Sequence, residues 1–249
     1  MLSIQKNIGN ATKRFVEASI FIQEGDYIVK TLTNDDEKTQ AYRLRHRVFC
    51  EELGWVPINS ASMEIDRYDQ HAIFIGVFDN RHKLVAFSRL ISPGTAFMIE
   101  KEFSSLIGSW HTIRKQDDTA EVSRLCVLPE ARNSSIHGNF GIHSMSMFLY
   151  KGIYQWCVRN GVRYIYVVVE NTIYRMFKAK GFPCRPVGEP LAMSDGCMAV
   201  AAMIDFRELI LINTVKRPEF TKWFTRYQST LSRLPQQQLE LYSRPGASA

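Results

Sequence analysis

The stretch Ala120-Glu-Val-Ser-Arg-Leu-Cys-Val-Leu128 reads as a strand closed by Pro129, yet it carries Glu121 and Arg124 where a core strand holds apolar residues. Burying a charge in such a strand is costly unless it is paired. Partners of both signs occur upstream. Arg45 lies beside Leu44 and Val48 on a helical face, and Arg89 interrupts an apolar strand over residues 84–91. Glu64, Asp66 and Asp69 form the acidic run Glu-Ile-Asp-Arg-Tyr-Asp. Four acids thus stand against three arginines. Such a set forms either a salt-bridge network pinning a loop to a sheet or a polar acceptor pocket. In the pocket, carboxylates hold a cationic amine, and arginines hold those carboxylates or an acceptor carboxylate. One set of residues can do both.

Elements of both kinds surround this strand. Residues 26–32 pattern as a strand. Asn34 offers a helix cap, and Leu44, Val48 and Phe49 share a face of a helix running to about Leu53 and stopping at Gly54. A loop over 56–69 leads to a hairpin of residues 71–78 and 84–91, with Ser92-Pro93-Gly94 breaking it. Residues 100–107 are a candidate short helix. The strongest helix is expected over 141–160, with Ile142, Met145, Phe148, Leu149, Ile153 and Trp156 on its apolar face and Gly161 at its end. Strands at 164–169 and 198–204 bracket a helix at 172–180. This order predicts an α/β (α+β sandwich) domain over 26–205, a mixed, mostly antiparallel sheet flanked by helices. Residues 1–25 read as an N-terminal helical extension, and 206–249 as a C-terminal helical appendage and tail.

Length and composition fit this picture. The chain has 249 residues, 45% hydrophobic and 22% charged, which excludes disordered, collagenous and coiled-coil classes. A formal charge of +6 permits an acidic partner without demanding nucleic acid. No apolar run reaches the roughly 18 residues of a membrane helix, and residues 18–22 are too short for a signal-peptide core. The five cysteines, Cys50, Cys126, Cys157, Cys184 and Cys197, are dispersed and read as reduced thiols of a cytoplasmic protein. There is no Cys-x-x-Cys and no His pair at zinc spacing, so no metal is expected. Cys126 could be a nucleophile by position, but no His partner is evident, and core packing explains it better.

Arg45-x-x-x-Phe49, Trp55, Glu64-x-Asp66-x-x-Asp69, Arg89-Leu90 and Glu121-x-x-Arg124 resemble the autoinducer (acyl-homoserine-lactone) synthases in order and spacing, as do Phe97-Met98, Phe103 and Leu106-Ile107. The chain is equally similar to the N-acyl amino acid synthases and the exosortase-associated acyltransferases. Residues 48–57, with Glu52 where autoinducer enzymes usually hold a basic residue, and Lys216-Arg217-Pro218-Glu219-Phe220 lean that way. All share the GNAT acyltransferase fold. The resemblance implies a V-shaped cleft between the Glu121 strand and the strand at 164–169, receiving a pantetheine arm. Ordinary GNAT enzymes cradle the coenzyme A pyrophosphate in an Arg/Gln-x-x-Gly-x-Gly/Ala loop. Here the loop reads Arg132-Asn-Ser-Ser-Ile-His-Gly138, without the glycine fingerprint. That favours a phosphopantetheine thioester carried by acyl carrier protein over free coenzyme A. Lys151, Arg159, Arg163, Lys178 and Lys180, with Arg175 and Arg185, offer a basic docking face for that acidic partner.

The activity implied is N-acylation of an amino-acid-type acceptor. Glu121 would take the amine proton, through a water, with Arg124 and Arg89 orienting carboxylates. Arg45, Phe49, Trp55, Glu64, Asp66 and Asp69 would shape the acceptor site. Backbone N–H groups of Leu125, Cys126 and Val127 would stabilise the oxyanion. Phe148, Leu149, Ile153, Trp156 and Met176 suit either helix core or an acyl tunnel. An N-acyl amino acid product comes first in this reading. An acyl-homoserine lactone made from S-adenosylmethionine is the alternative. A coenzyme A-dependent acetyltransferase and a non-catalytic GNAT-like module are further ones.

Overall fold

The structure, a computed structural model, describes residues 18–138 and 141–227. In chain order its elements are β1 (Phe21–Glu24), β2 (Tyr27–Thr31), α1 (Asp35–Arg45), β3 (Ala72–Phe78), β4 (Leu84–Ile91), α2 (Met98–Lys101), β5 (Thr119–Val127), β6 (Ser135–Gly138), β7 (Gly141–Ser144), α3 (Met145–Arg159), β8 (Tyr164–Glu170), α4 (Asn171–Ala179), β9 (Cys184–Pro186), β10 (Leu191–Ala192), β11 (Met198–Asp205), α5 (Phe206–Lys216) and α6 (Pro218–Thr225). The main sheet runs β1-β2-β3-β4-β5-β8-β11-β10, with β9 also on β11, and β6 and β7 form a separate hairpin. Every neighbouring pair is antiparallel except β5–β8. This is the expected mixed, mostly antiparallel sheet flanked by helices.

Register decides what each face carries. Phe74 pairs with Arg89, Arg89 with Ser123, and Ile91 with Glu121, so these side chains share one face, to which the α2 turn is bonded through Glu121. Helix α3 covers the opposite face, close enough that a Cβ on Gly152 would meet Val29 at 2.3 Å. Strands β5 and β8 pair only from Thr119–Tyr164 to Val122–Val167. Beyond that point they separate, which leaves the V-shaped opening.

Several local expectations are corrected. Residues 21–24 are not helical but form strand β1, joined to β2 through Gly25 at φ +53°. Residues 1–17, placed in the same helical extension, lie outside the described residues, as does the tail at 228–249. The long helix begins at Met145 rather than Gly141. Gly141 sits at φ +115° in β7, Ser144 caps the helix, and Ile142 faces solvent instead of the core. The helix expected over 100–107 is split into α2 and a 3-10 turn at Ser104–Leu106. After α1 the chain continues as a π-helix over His46–Glu52. Helices α5 and α6 are no appendage. Trp223 and Phe224 are fully buried, Phe224 lies against Tyr154, Phe182 and Phe220, and Trp223 Nε1 donates to both Glu24 carboxylate oxygens (3.0 and 2.8 Å).

Candidate active site

Three arginines and three carboxylates interlock at the junction of α1, β4 and β5. Arg45, fully buried at the end of α1, donates Nε to Glu64 (2.5 Å) and a terminal nitrogen to Asp69 (2.7 Å). Arg89, fully buried in β4, reaches Asp66 (2.5 Å), Asp69 (2.6 Å) and Ser123 Oγ (3.0 Å). Arg124 completes the ring on Glu64 (2.9 Å) and Asp66 (3.0 Å). Burial alone would raise the Asp66 pKa, but the Arg89 hydrogen bond and the Arg89 and Arg124 charges hold it below its ordinary value.

Arg124 owes its aim to a backbone irregularity. Phe87 pairs with Cys126 and Arg89 with Ser123, so Arg124 and Leu125 together oppose Ser88 in a β-bulge. Arg124 takes φ +52°, a left-handed conformation that side chains rarely adopt. The bulge turns a side chain that plain alternation would send toward α3 onto the acidic cluster. Its guanidinium also lies 5.5 Å from the Phe49 ring, and Phe49 stacks on Trp55 at 6.1 Å. Phe49 is buried in the π-helix, whereas Trp55 is 47% exposed, so the two form a wall beside Arg124.

Glu121, the fourth acid, stands apart from the arginine ring. It is buried in β5 and accepts the N–H groups of Met98 (2.5 Å) and Ile99 (2.9 Å) at the start of α2. Burial pushes its pKa up to about 7, against the lowering effect of those two hydrogen bonds and of the Arg89 and Lys115 charges. The expectation of seven ionic groups in one cluster is thus corrected to six, with Glu121 adjoining through Met98. Met98 Sδ contacts Arg89 (2.8 Å) and lies 3.7 Å from Arg124. Sequence reasoning gave no role to Met98, to Ser123, or to the clamp that holds the α2 turn. In that clamp Glu100 accepts from Phe97 N–H (2.7 Å) and Lys115 Nζ (2.9 Å), and Lys115 sits over the Phe97 ring. No spacing signals a long-range pair of this kind.

The remaining candidates divide. Cys126 is buried and burial pushes its thiol up, the setting of a packed core thiol rather than of a thiolate nucleophile. Leu125, Cys126 and Val127 lie on the part of β5 that β8 no longer covers. Lys151 is corrected as a docking residue. It is buried and paired with Glu24 (2.5 Å), and burial lowers its pKa. Arg163 is engaged by Asp205 (3.0 and 2.6 Å). Arg159 packs on Tyr227, and Lys178 and Arg175 project from α4. Lys180 is half-buried at the α4 end. A recess of about 420 Å³ lined by Arg67, Tyr68, His71, Thr95, Ala96 and Lys101 abuts the ring through Tyr68, whose ring lies 5.6 Å from the Arg89 guanidinium carbon.

The family model described as autoinducer synthase matches residues 28–209. An acyl-homoserine-lactone synthase of Rhizobium radiobacter is 28% identical over 160 residues, covering 63% of this chain and 73% of that protein. Among solved structures, the CoA-dependent acyl-homoserine lactone synthase BjaI with MTA superposes with a TM-score of 0.63 at 21% identity, over 74% of this chain and 86% of that one. FeeM, an N-acyl amino acid synthase from uncultured soil microbes, does so with a TM-score of 0.56 at 14% identity, over 75% and 93%. At such identities the structures establish the fold alone. The sequence relatives favour the homoserine-lactone branch over the N-acyl amino acid branch that the sequence reading put first.

Proposed function

Because the chain belongs to the autoinducer synthase family, we propose that it is an acyl-homoserine-lactone synthase that acylates the α-amine of S-adenosylmethionine. BjaI, of the same fold, has been solved with S-adenosylmethionine and isopentyl-CoA. In this reading the Glu64, Asp66, Asp69 side of the ring faces the cationic acceptor, and Arg89 and Arg124 hold those carboxylates in place. Phe49 and Trp55 wall the acceptor site.

Glu121 is the base. An ammonium group must lose a proton before its nitrogen attacks a thioester, and a carboxylate with a pKa of about 7 can take it near neutrality. The amine then forms the amide bond as the C–S bond breaks, and the thiolate leaves with a proton. Backbone N–H groups along Leu125, Cys126 and Val127 stabilise the oxyanion on the way. Attack of the acceptor carboxylate on the carbon bearing the sulfonium closes the lactone and releases methylthioadenosine, with both electrons of that C–S bond going to sulfur.

The donor in this reading is an acyl-phosphopantetheine on acyl carrier protein, steered by the exposed cations Arg159, Arg175 and Lys178. The observation that carries the proposal is the juxtaposition of a balanced Arg–carboxylate ring, a buried carboxylate and a sheet that splays open beside both. Mass spectrometry of lipid extracts from expressing cells tests it. Acyl-homoserine lactones are the expected product. An N-acyl amino acid in their place would return the acceptor to a free amino acid, and neither product would defeat both.

A further inference from the structure

We propose that the Glu52–Arg132 pair at the open end of the cleft sets the thioester donor, by withholding Arg132 from the additional phosphates of a free coenzyme A thioester. This rests on the carrier-protein reading of the donor. Arg132 follows the 3-10 turn Pro129–Ala131 at the end of β5. Its Nε donates to the Val127 carbonyl (3.1 Å), and its two terminal nitrogens donate to the two Glu52 oxygens (2.5 and 2.6 Å). That planar, two-pronged geometry is the one a guanidinium offers to phosphate. Here a carboxylate takes it. The Arg132 hydrogen bond holds the Glu52 carboxyl below its usual range, so it is anionic at neutral pH.

Neither partner is sealed in the core: their side chains are 43% and 32% exposed. An exposed pair of this kind contributes little to stability, so its value lies in where it puts charge. It stands at the end of β5 past which the strands diverge, where the phosphate end of a pantetheine arm would emerge. Nearby Arg47 and Lys83 are both engaged by Glu130. The sequence after Arg132 also lacks the glycine fingerprint of the usual phosphate cradle. The chain after Arg132 runs into the β6–β7 hairpin, and the start of α3 is capped from within by Ser144 Oγ, which accepts from Met147 N–H. A carrier-bound arm brings one phosphodiester to this rim. Coenzyme A brings a diphosphate and a further phosphate on its ribose, so the Glu52 charge opposes it more strongly.

The test uses the full chain and one acyl group on both donors. Glu52→Gln is expected to lower the KM for acyl-coenzyme A by roughly three- to tenfold at unchanged kcat, and to change the KM for the acyl carrier protein by less than about twofold. Glu52→Asp should stay near wild type, and adding Arg132→Gln to Glu52→Gln should abolish the gain. An unaltered ratio of kcat/KM for the two donors in Glu52→Gln would overturn the inference, whatever its melting temperature does. A wild-type protein that prefers acyl-coenzyme A would overturn the carrier reading instead, while the KM shift in Glu52→Gln would still decide the role of the pair.

Discussion

In the proposed reaction Glu121, a buried carboxylate, must accept a proton. Its replacement by Gln keeps the shape and one of the two oxygens that accept the α2 N–H groups, so the fold should persist while turnover falls by about 10²–10⁴-fold. The acid limb of the wild-type pH–rate profile should lie near pH 7 and vanish in the residual activity of Glu121→Gln. Stability moves the other way. The folded pKa lies above the unfolded one of 4.5, so the folded state binds more protons between pH 4.5 and about 7. Melting temperature should therefore fall across that window in wild type, and the fall should be smaller in Glu121→Gln. Arg45 differs in kind. Arg45→Ala would take from Glu64 and from Asp69, both buried, one of the two guanidinium groups that hold each of them, and chemical denaturation should read a loss of about 3–5 kcal/mol. These residues were legible because their charges defied an apolar pattern. Their placement was not, since a bulge and a left-handed backbone at Arg124 leave no mark in side-chain periodicity.

At the scale of elements, the two short pieces that matter most were the hardest to read. The α2 turn holds Glu121 through two backbone N–H groups and is itself held by Glu100 and Lys115. Lys115→Ala should shift the acid limb of the pH–rate profile upward, because it removes a charge that lowers the Glu121 pKa and loosens the turn that donates to it. A purely structural role would alter melting temperature and leave that limb in place. Helix α6 read as part of an appendage because an amphipathic segment late in a sequence gives no hint of what lies opposite. Its Trp223 reaches Glu24 in β1, nearly 200 positions away, and stacks on His143 at 3.6 Å. Trp223→Ala should cost about 3–5 kcal/mol by denaturant titration, and it would remove the hydrogen bonds that tie α6 to Glu24 of β1. The β3–β4 hairpin and strands β8 and β11 matched expectation because long alternating or β-branched runs between Gly, Pro and Asp leave few other structures open.

For the whole molecule, family and fold emerged from the same few charged positions, whereas the acceptor did not. The N-acyl amino acid and homoserine-lactone branches both need an amine beside a thioester. A polar ring fit for one is fit for the other, and the product therefore remains the measurement that distinguishes them. Three guanidinium groups against three carboxylates also sum to no net charge, and a neutral cluster projects little field beyond its own contacts. Ions in the medium have little to screen there, whereas cations scattered over an outer helix are fully exposed to them. In the proposed carrier-protein reading, raising salt from about 0.05 to 0.5 M should thus weaken capture of the acidic protein donor several-fold and scarcely touch affinity for the small acceptor. A cell whose ionic strength drifts would see its signal output change through the supply of acyl groups, and hardly through the supply of amine.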